Sequence, residues 1–306
     1  MAIPENQLVT WSHQGAVQSS AATHKSVTNC IDRVNWKEDV RYVTYLQGSY
    51  PNYTNIYGNS DVDLVVEFRS IFSKNLSALT ETQREAFDRN YSDAQYTLAS
   101  FKISVIEQLK SCFGETNIVV GNKAILVKGD NNRLDCDVIV CNPYRKYLSY
   151  LPSTENYIEG IIFRTEHESP NRDIINYPKV HLKNGSFKNQ HENTWGNFKP
   201  AVRVLKNIKA AMVRNGYINK TLAPSYFLEC LVYNSDNSNF KQNTFQDIST
   251  SIINQFYRDS INGNMENYLV QNEQGKLFGS EDLQWNIIDA REFVTQIIRF
   301  WNEYGK

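Results

Sequence analysis

No stretch of this 306-residue chain is apolar over the roughly eighteen residues that a membrane-crossing helix needs. An excess of charge is missing as well: 32 Lys and Arg stand against 33 Asp and Glu, a formal net charge of -1. A chain so balanced does not bind nucleic acid by bulk electrostatics. Cysteine is scarce and unpatterned. Five residues (Cys30, Cys112, Cys136, Cys141, Cys230) make an odd number with no C-x-x-C pair, which argues against a structural zinc motif and predicts reduced thiols in a cytoplasmic protein. The histidines (His13, His24, His167, His181, His191) form neither H-x-x-x-H nor a Ser-His-Asp arrangement, so each reads as structural or loop-borne. The opening MAIPENQLVTWSHQG has none of the basic, apolar and small-residue segments of a secretory signal. Repeats and low-complexity linkers are absent too, and no membrane partner is expected.

What is present is a change of character along the chain. Residues 17–34 carry helical spacing (Val17, Ala21, His24, Val27, Ile31), and VRYVTYLQ at 40–47 is β-branched and aromatic, as a strand should be. DVDLVVEF at 61–68 is apolar on both faces after its carboxylates, the pattern of a central strand. A long helical stretch is expected over 80–112, opened by a Thr-Glu-Thr-Gln cluster suited to capping. Strands are predicted again at 117–121, 123–129, 133–141 and 157–167, followed by a polar loop that includes INYPKVH. From Asn193 onward the pattern is mostly helical, with Pro224 suited to the start of a helix. The expected architecture is α+β: a mixed sheet with helices over residues 1–192 and a C-terminal helical lobe over 193–306, with the active site in the cleft between them.

The carboxylates carry the chemistry. Residues two apart in a strand point to one face, so Asp61 and Asp63 project together and repel unless a cation lies between them. Asp135 and Asp137 form a second such pair, and either could supply a third carboxylate. Three converging carboxylates suit two Mg2+ ions clamping a phosphoryl-transfer centre. Gly48-Ser49, at the end of the preceding strand, adds a glycine that lets backbone approach a phosphate and a serine that donates to it. Eleven residues separate that pair from Asp61. In FKPAVRVLKNIK, Lys199, Arg203 and Lys206 share one helix face: taken alone it reads as the solvated basic side of an amphipathic helix, and opposite a carboxylate–metal cage it would neutralise a triphosphate. Cys136 and Cys141 lie on opposite faces of their strand and read as small core residues.

LQGSY, SDVDLVV and LDCDVIVC together resemble the polymerase-β-type nucleotidyltransferases, and within them the bacterial cGAS/DncV-like nucleotidyltransferases (CD-NTases) of anti-phage signalling. DVIVCNPYRKY, INYPKVHLKNGSFKNQ, FKPAVRVLKN and PSYFLE extend the resemblance over most of the chain. It implies a polymerase-β-like core whose metal-binding and catalytic residues are Asp61, Asp63 and Asp137, with Asp135 as the alternative third ligand. Two Mg2+ ions are implied, with Mn2+ able to substitute. Nucleotide contacts are implied at Gln47, Gly48, Ser49, Lys199, Arg203, Lys206, Ser225 and Tyr226, the tyrosine stacking on a base and Lys206 meeting triphosphate or base. The implied reaction joins nucleoside triphosphates, ATP among them, into a cyclic di- or trinucleotide messenger and releases pyrophosphate. A downstream effector would be reached only through that product. Activation by DNA is not indicated, since neither a zinc-binding insertion nor a basic surface is evident. Transfer to another acceptor (an RNA end, a protein or a small molecule) and a catalytically silent nucleotide-binding module remain open alternatives.

Overall fold

The computed structural model describes residues 3–15, 18–57, 62–92, 96–281 and 283–305. In chain order the elements are α1 (Glu5–Ser12), α2 (Gln18–Ile31), β1 (Tyr42–Gln47), β2 (Val62–Phe68), β3 (Ser73–Asn75), α3 (Glu81–Asn90), α4 (Leu98–Phe113), β4 (Ile118–Val120) and β5 (Ile125–Val127). Then follow β6 (Cys136–Leu151), β7 (Thr154–Arg164), β8 (Asp173–Asn176), α5 (Pro178–Lys188), α6 (His191–Thr194), α7 (Phe198–Arg214), α8 (Ser225–Tyr233), α9 (Phe245–Asn262) and α10 (Ile287–Glu303). No helix among the described residues is long and apolar enough to cross a membrane.

These elements fall into two compact units. One, the sheet unit, comprises Val17–Tyr50 and Asp61–Val180; the other, the helical unit, comprises Met1–Ala16, Pro51–Ser60 and His181–Lys306. Each unit is therefore discontinuous in sequence, where a single cut after residue 192 was expected. The helical unit gathers α1 and the segment that follows Tyr50.

In the sheet unit the strands run in the order β1-β2-β6-β5-β4, with β3 and β7 also on the long β6 and β8 on β7. β2 is central as predicted: β1 pairs with it antiparallel and β6 parallel. Its even-numbered residues Val62, Leu64, Val66 and Phe68 pack with α2 and α4 residues such as Val27, Ile31, Phe101 and Val105 in one core. Val65 instead joins Ile139, Cys141, Ile161 and Phe163 on the opposite face. Cys136 and Cys141 divide between the same two cores, as their odd spacing requires.

The single helix expected over 80–112 is two helices. Thr80 caps α3 in a reciprocal capping box with Gln83, and Thr97 caps α4 anew. The loop expected around INYPKVH is strand β8 followed at once by α5, so helix returns before Asn193. Cys30 and Cys112, expected as free thiols, form a disulfide with Cα atoms 6.2 Å apart. Their 82-residue separation hid the pairing, which follows from α2 packing on α4.

The helical unit closes over one large core in which α1 contributes Leu8, α7 contributes Val202, Leu205 and Ile208, and α10 contributes Phe293 and Ile297. The N-terminal segment is bound electrostatically as well: both oxygens of Glu5 accept the free backbone N–H groups of Phe245 and Gln246 at the start of α9.

Candidate active site

In the sheet unit, strand register brings the predicted residues together. Gln47 on β1 is the register partner of Asp63 on β2, and Asp63 is the partner of Asp137 on β6. Partners across a parallel ladder share a face, so the two carboxylates lie side by side on the face away from α2 and α4. Gly48 follows directly, with φ +75, and a Cβ built on it would lie 2.2 Å from Asp63 Oδ2. No other residue both adopts that backbone angle freely and leaves room for the carboxylate. Ser49 continues the same turn. Asp61 lies outside the described residues.

The choice between Asp135 and Asp137 acquires a physical basis. Asp135 sits before β6 and its Oδ1 accepts the Gly129 N–H at 2.6 Å, tying the turn that leads from β5 into β6. Asp135 is solvent-exposed, whereas Asp137 is half-buried beside Asp63. The electrostatic imprint of the pair is visible on its neighbour: burial, then the negative fields of Asp137 and Asp63, push the Cys136 thiol up to about 12.

The fit of a metal can be judged from this donor set. Asp63 and Asp137 offer hard anionic oxygens, and the buried amide oxygen of Gln47 has no hydrogen-bond partner among the described residues. Cys136 faces the other core and keeps its proton, so no soft donor competes. Oxygen-only ligation suits Mg2+ or Mn2+ rather than zinc. Among the described residues no group of three metal-ligating side chains gathers. The expected third carboxylate, Asp61, is not among them.

In the helical unit the picture differs from the expectation. The basic residues of α7 do not form a free solvated stripe. Lys206 is 5% exposed and donates to the backbone O of Thr54 (3.1 Å), to Thr54 Oγ1 (3.2 Å) and to Glu229 Oε2 (3.1 Å). Arg203 donates through Nε to Ser12 O and through Nη1 to Tyr53 O. Lys199 bonds Ser186 Oγ at 3.3 Å and lies over the Tyr53 ring, and burial lowers its pKa. The cause is the 51–57 segment, which packs on α7 and draws the cations inward; sequence spacing places them on one face but cannot say what that face meets. Lys206 is thus buried in an ion pair with Glu229, while Lys199 and Arg203 are half-buried.

Ser225 and Tyr226 open α8 after Pro224 and both are exposed. The Tyr226 ring is 5.3 Å from the His181 ring at 27° and 5.4 Å from Trp285 at 36°. His181, in turn, meets Glu229 Oε1 through Nε2 at 2.9 Å, and Thr54 Oγ1 donates to Glu229 Oε2 at 2.9 Å. Burial would raise the pKa of Glu229, but Lys206, His181 and Thr54 outweigh it and hold the carboxyl at about 2. Sequence reasoning missed this cluster. The signal was available in SYFLECLVY, where one glutamate interrupts an otherwise apolar and aromatic helix and demands a buried cation.

Comparison with known proteins supplies a frame for both halves. Residues 183–302 match the family model of the cGAS/DncV-like nucleotidyltransferase C-terminal helical domain. The whole chain aligns, at 40% identity over 306 residues and all of the relative's length, with a cyclic UMP-AMP synthase of Rhodothermus marinus (strain SG0.5JP17-172). Among solved structures, the Rhodothermus marinus CdnE c-UMP-AMP synthase with Apcpp and Upnpp superposes with a TM-score of 0.86 at 38% identity, covering 99% of this chain and 98% of that one. The Elizabethkingia meningoseptica CdnE cyclic dinucleotide synthase with GTP and Apcpp gives a TM-score of 0.76 at 28% identity, covering 99% and 100%.

Proposed function

The chain belongs to the bacterial cGAS/DncV-like nucleotidyltransferases, and we propose that it joins two or three nucleoside triphosphates into a cyclic oligonucleotide, releasing pyrophosphate at each transfer. The observation that carries this reading is the Asp63–Asp137 register pair with Gly48 packed against it. The relatives' full-length similarity supports the same activity, and the R. marinus enzyme's name makes adenine and uracil the first bases to test.

In this reading Asp61, Asp63 and Asp137 hold two Mg2+ ions, for which Mn2+ can substitute. Bound there, the ions supply charge neutralisation at the α-phosphate and acidify the acceptor hydroxyl. The chain's own residues do the rest. Gly48 lets the triphosphate approach the backbone, Ser49 donates to its oxygens, and the Gln47 amide faces the same oxygens. Asp137 accepts the proton of the attacking hydroxyl. In the helical unit the exposed Tyr226 ring offers a π-face to a nucleobase, Ser225 contacts triphosphate beside it, and Lys199 and Arg203 contribute positive charge. The linear intermediate is then closed by a last transfer in the same site, the second for a dinucleotide and the third for a trinucleotide. The cyclic product serves as a second messenger of anti-phage defence in the cytoplasm, and its effector meets only that product.

The test is incubation of the purified protein with Mg2+ or Mn2+ and the four ribonucleoside triphosphates, with phosphatase-resistant products read by mass spectrometry. Cyclic species from the wild type and none from Asp63→Asn are expected. Equal yields from the two proteins would overturn the assignment. Label transferred instead to added RNA or protein would move the activity to another acceptor.

A further inference from the structure

Glu229 is a buried carboxylate of the helical unit that the proposed chemistry does not use. Glu229 is 4% exposed and accepts from three side chains drawn from three separate stretches: Thr54 in the 51–57 spacer, Lys206 in α7 and His181 in α5. A carboxylate can only accept, so His181 Nε2 carries its proton and its tautomer is fixed; Nδ1 has no partner among the described residues. That hydrogen bond orients a ring which itself stacks with Tyr226. The other oxygen grips a threonine midway along the spacer that joins Gly48-Ser49 to Asp63. A buried ion pair is a poor source of stability, because apolar residues of equal volume do as well or better; a network in which every member is hydrogen-bonded fixes geometry instead.

We propose that Glu229 is a positioning residue of the nucleotide site, holding the base platform through His181 and Tyr226 and the motif spacer through Thr54. The proposal rests on the reading that Tyr226 stacks on a nucleobase and that the spacer's flanks bind triphosphate. Each arm has its own kinetic signature. Tilting the platform weakens binding, which appears in Kd; loosening the spacer disturbs the reacting groups, which appears in kcat.

Glu229→Gln leaves Lys206 buried without its counter-ion and can fail to fold, so the test uses one variant per arm. His181→Phe keeps an aromatic ring beside Tyr226 but cannot donate to Glu229. Thr54→Val removes one hydroxyl and leaves the backbone oxygen that Lys206 also holds. With a non-hydrolysable ATP analogue in calorimetry, His181→Phe is expected to bind about tenfold more weakly with kcat within about twofold of wild type. Thr54→Val is expected to keep Kd and binding stoichiometry while kcat falls about tenfold. Unchanged stoichiometry separates positioning from partial unfolding, which would lower both together. Wild-type values in either variant overturn the proposal. Tyr226→Ala is the control on the premise: if it binds the analogue as tightly as wild type, the platform reading itself fails, and the His181 arm with it.

Discussion

The paired aspartates of the sheet unit and the α7 cations of the helical unit are placed by different rules. In the sheet unit, Asp63 and Asp137, one from each of the two Asp-x-Asp stretches, are brought together by strand register, adjacent and half-exposed on one face. In the helical unit, cations predicted from helical spacing do share a face of α7, but that face is covered by the 51–57 segment and its charges are spent on Thr54, Tyr53, Ser12 and Glu229. Strand alternation and a glycine at positive φ determine what a side chain meets within a few ångströms. Helical periodicity determines only a direction, and its partner comes from chain far away in sequence. The Asp63–Asp137 pair thus brings like charges together at a strand register, while Lys206 and Glu229 pair opposite charges in the interior of the helical unit.

Substitutions can sharpen or break that contrast. The largest effect is expected from Asp63→Asn, or from Asp137→Asn: synthesis falls by at least about a thousandfold. Thermal stability is unchanged or rises, because removing one of two adjacent like charges relieves repulsion. Product yield beside a melting curve checks both. A fall in melting temperature would mean the pair is structural after all.

Lys206→Met should behave in the opposite way. It leaves Glu229 buried and unpaired and destabilises the fold by about 3–5 kcal/mol, whereas the double variant Lys206→Met, Glu229→Gln recovers most of that loss. Denaturant titration of the single and double variants decides it. Two losses that simply add would show that the pair is not coupled.

The third effect is pH dependence. Glu229 lies at about 2 in the folded protein against an ordinary 4.5, so its ionised form is favoured by folding. Its contribution, about 3 kcal/mol, is complete above pH 4.5 and is lost as pH falls from there towards 2. Unfolding free energy measured across this window should slope more gently in the Lys206→Met, Glu229→Gln variant than in wild type. Parallel curves would contradict the depressed value.

Gly48→Ala gives the smallest effect, though one confined to the sheet unit. The new methyl must displace the Asp63 carboxylate and hold φ near +75. We expect synthesis to drop about a hundredfold with a loss of about 1–2 kcal/mol of stability. Full activity would show that the Asp63 carboxylate need not lie where the structure has it.

Much of this was legible in the sequence, for reasons that can be named. β2 is recognisable as central because its apolar run serves two cores, and the Gly48-Ser49 turn because it ends a strand one register step from Asp63. The Thr80 capping box is visible as a local pattern. What escaped was non-local. The Cys30–Cys112 pairing depends on α2 packing against α4, and the grip of Lys206 on Thr54 joins residues 152 positions apart. The break between α3 and α4 was missed because the periodicity resumes after it. In sequence α5 reads as loop because a proline and several polar residues at its start resemble punctuation, whereas Pro178 is well placed at a helix opening.

The most direct test of the carboxylate pair compares two neighbouring aspartates. Asp135→Asn keeps the oxygen that accepts from Gly129 and removes only a charge outside the pair; Asp137→Asn removes a charge within it. With Mg2+ and the four ribonucleoside triphosphates, cyclic product by mass spectrometry should persist in Asp135→Asn and vanish in Asp137→Asn. Loss of product in Asp135→Asn with wild-type yield from Asp137→Asn would contradict the account.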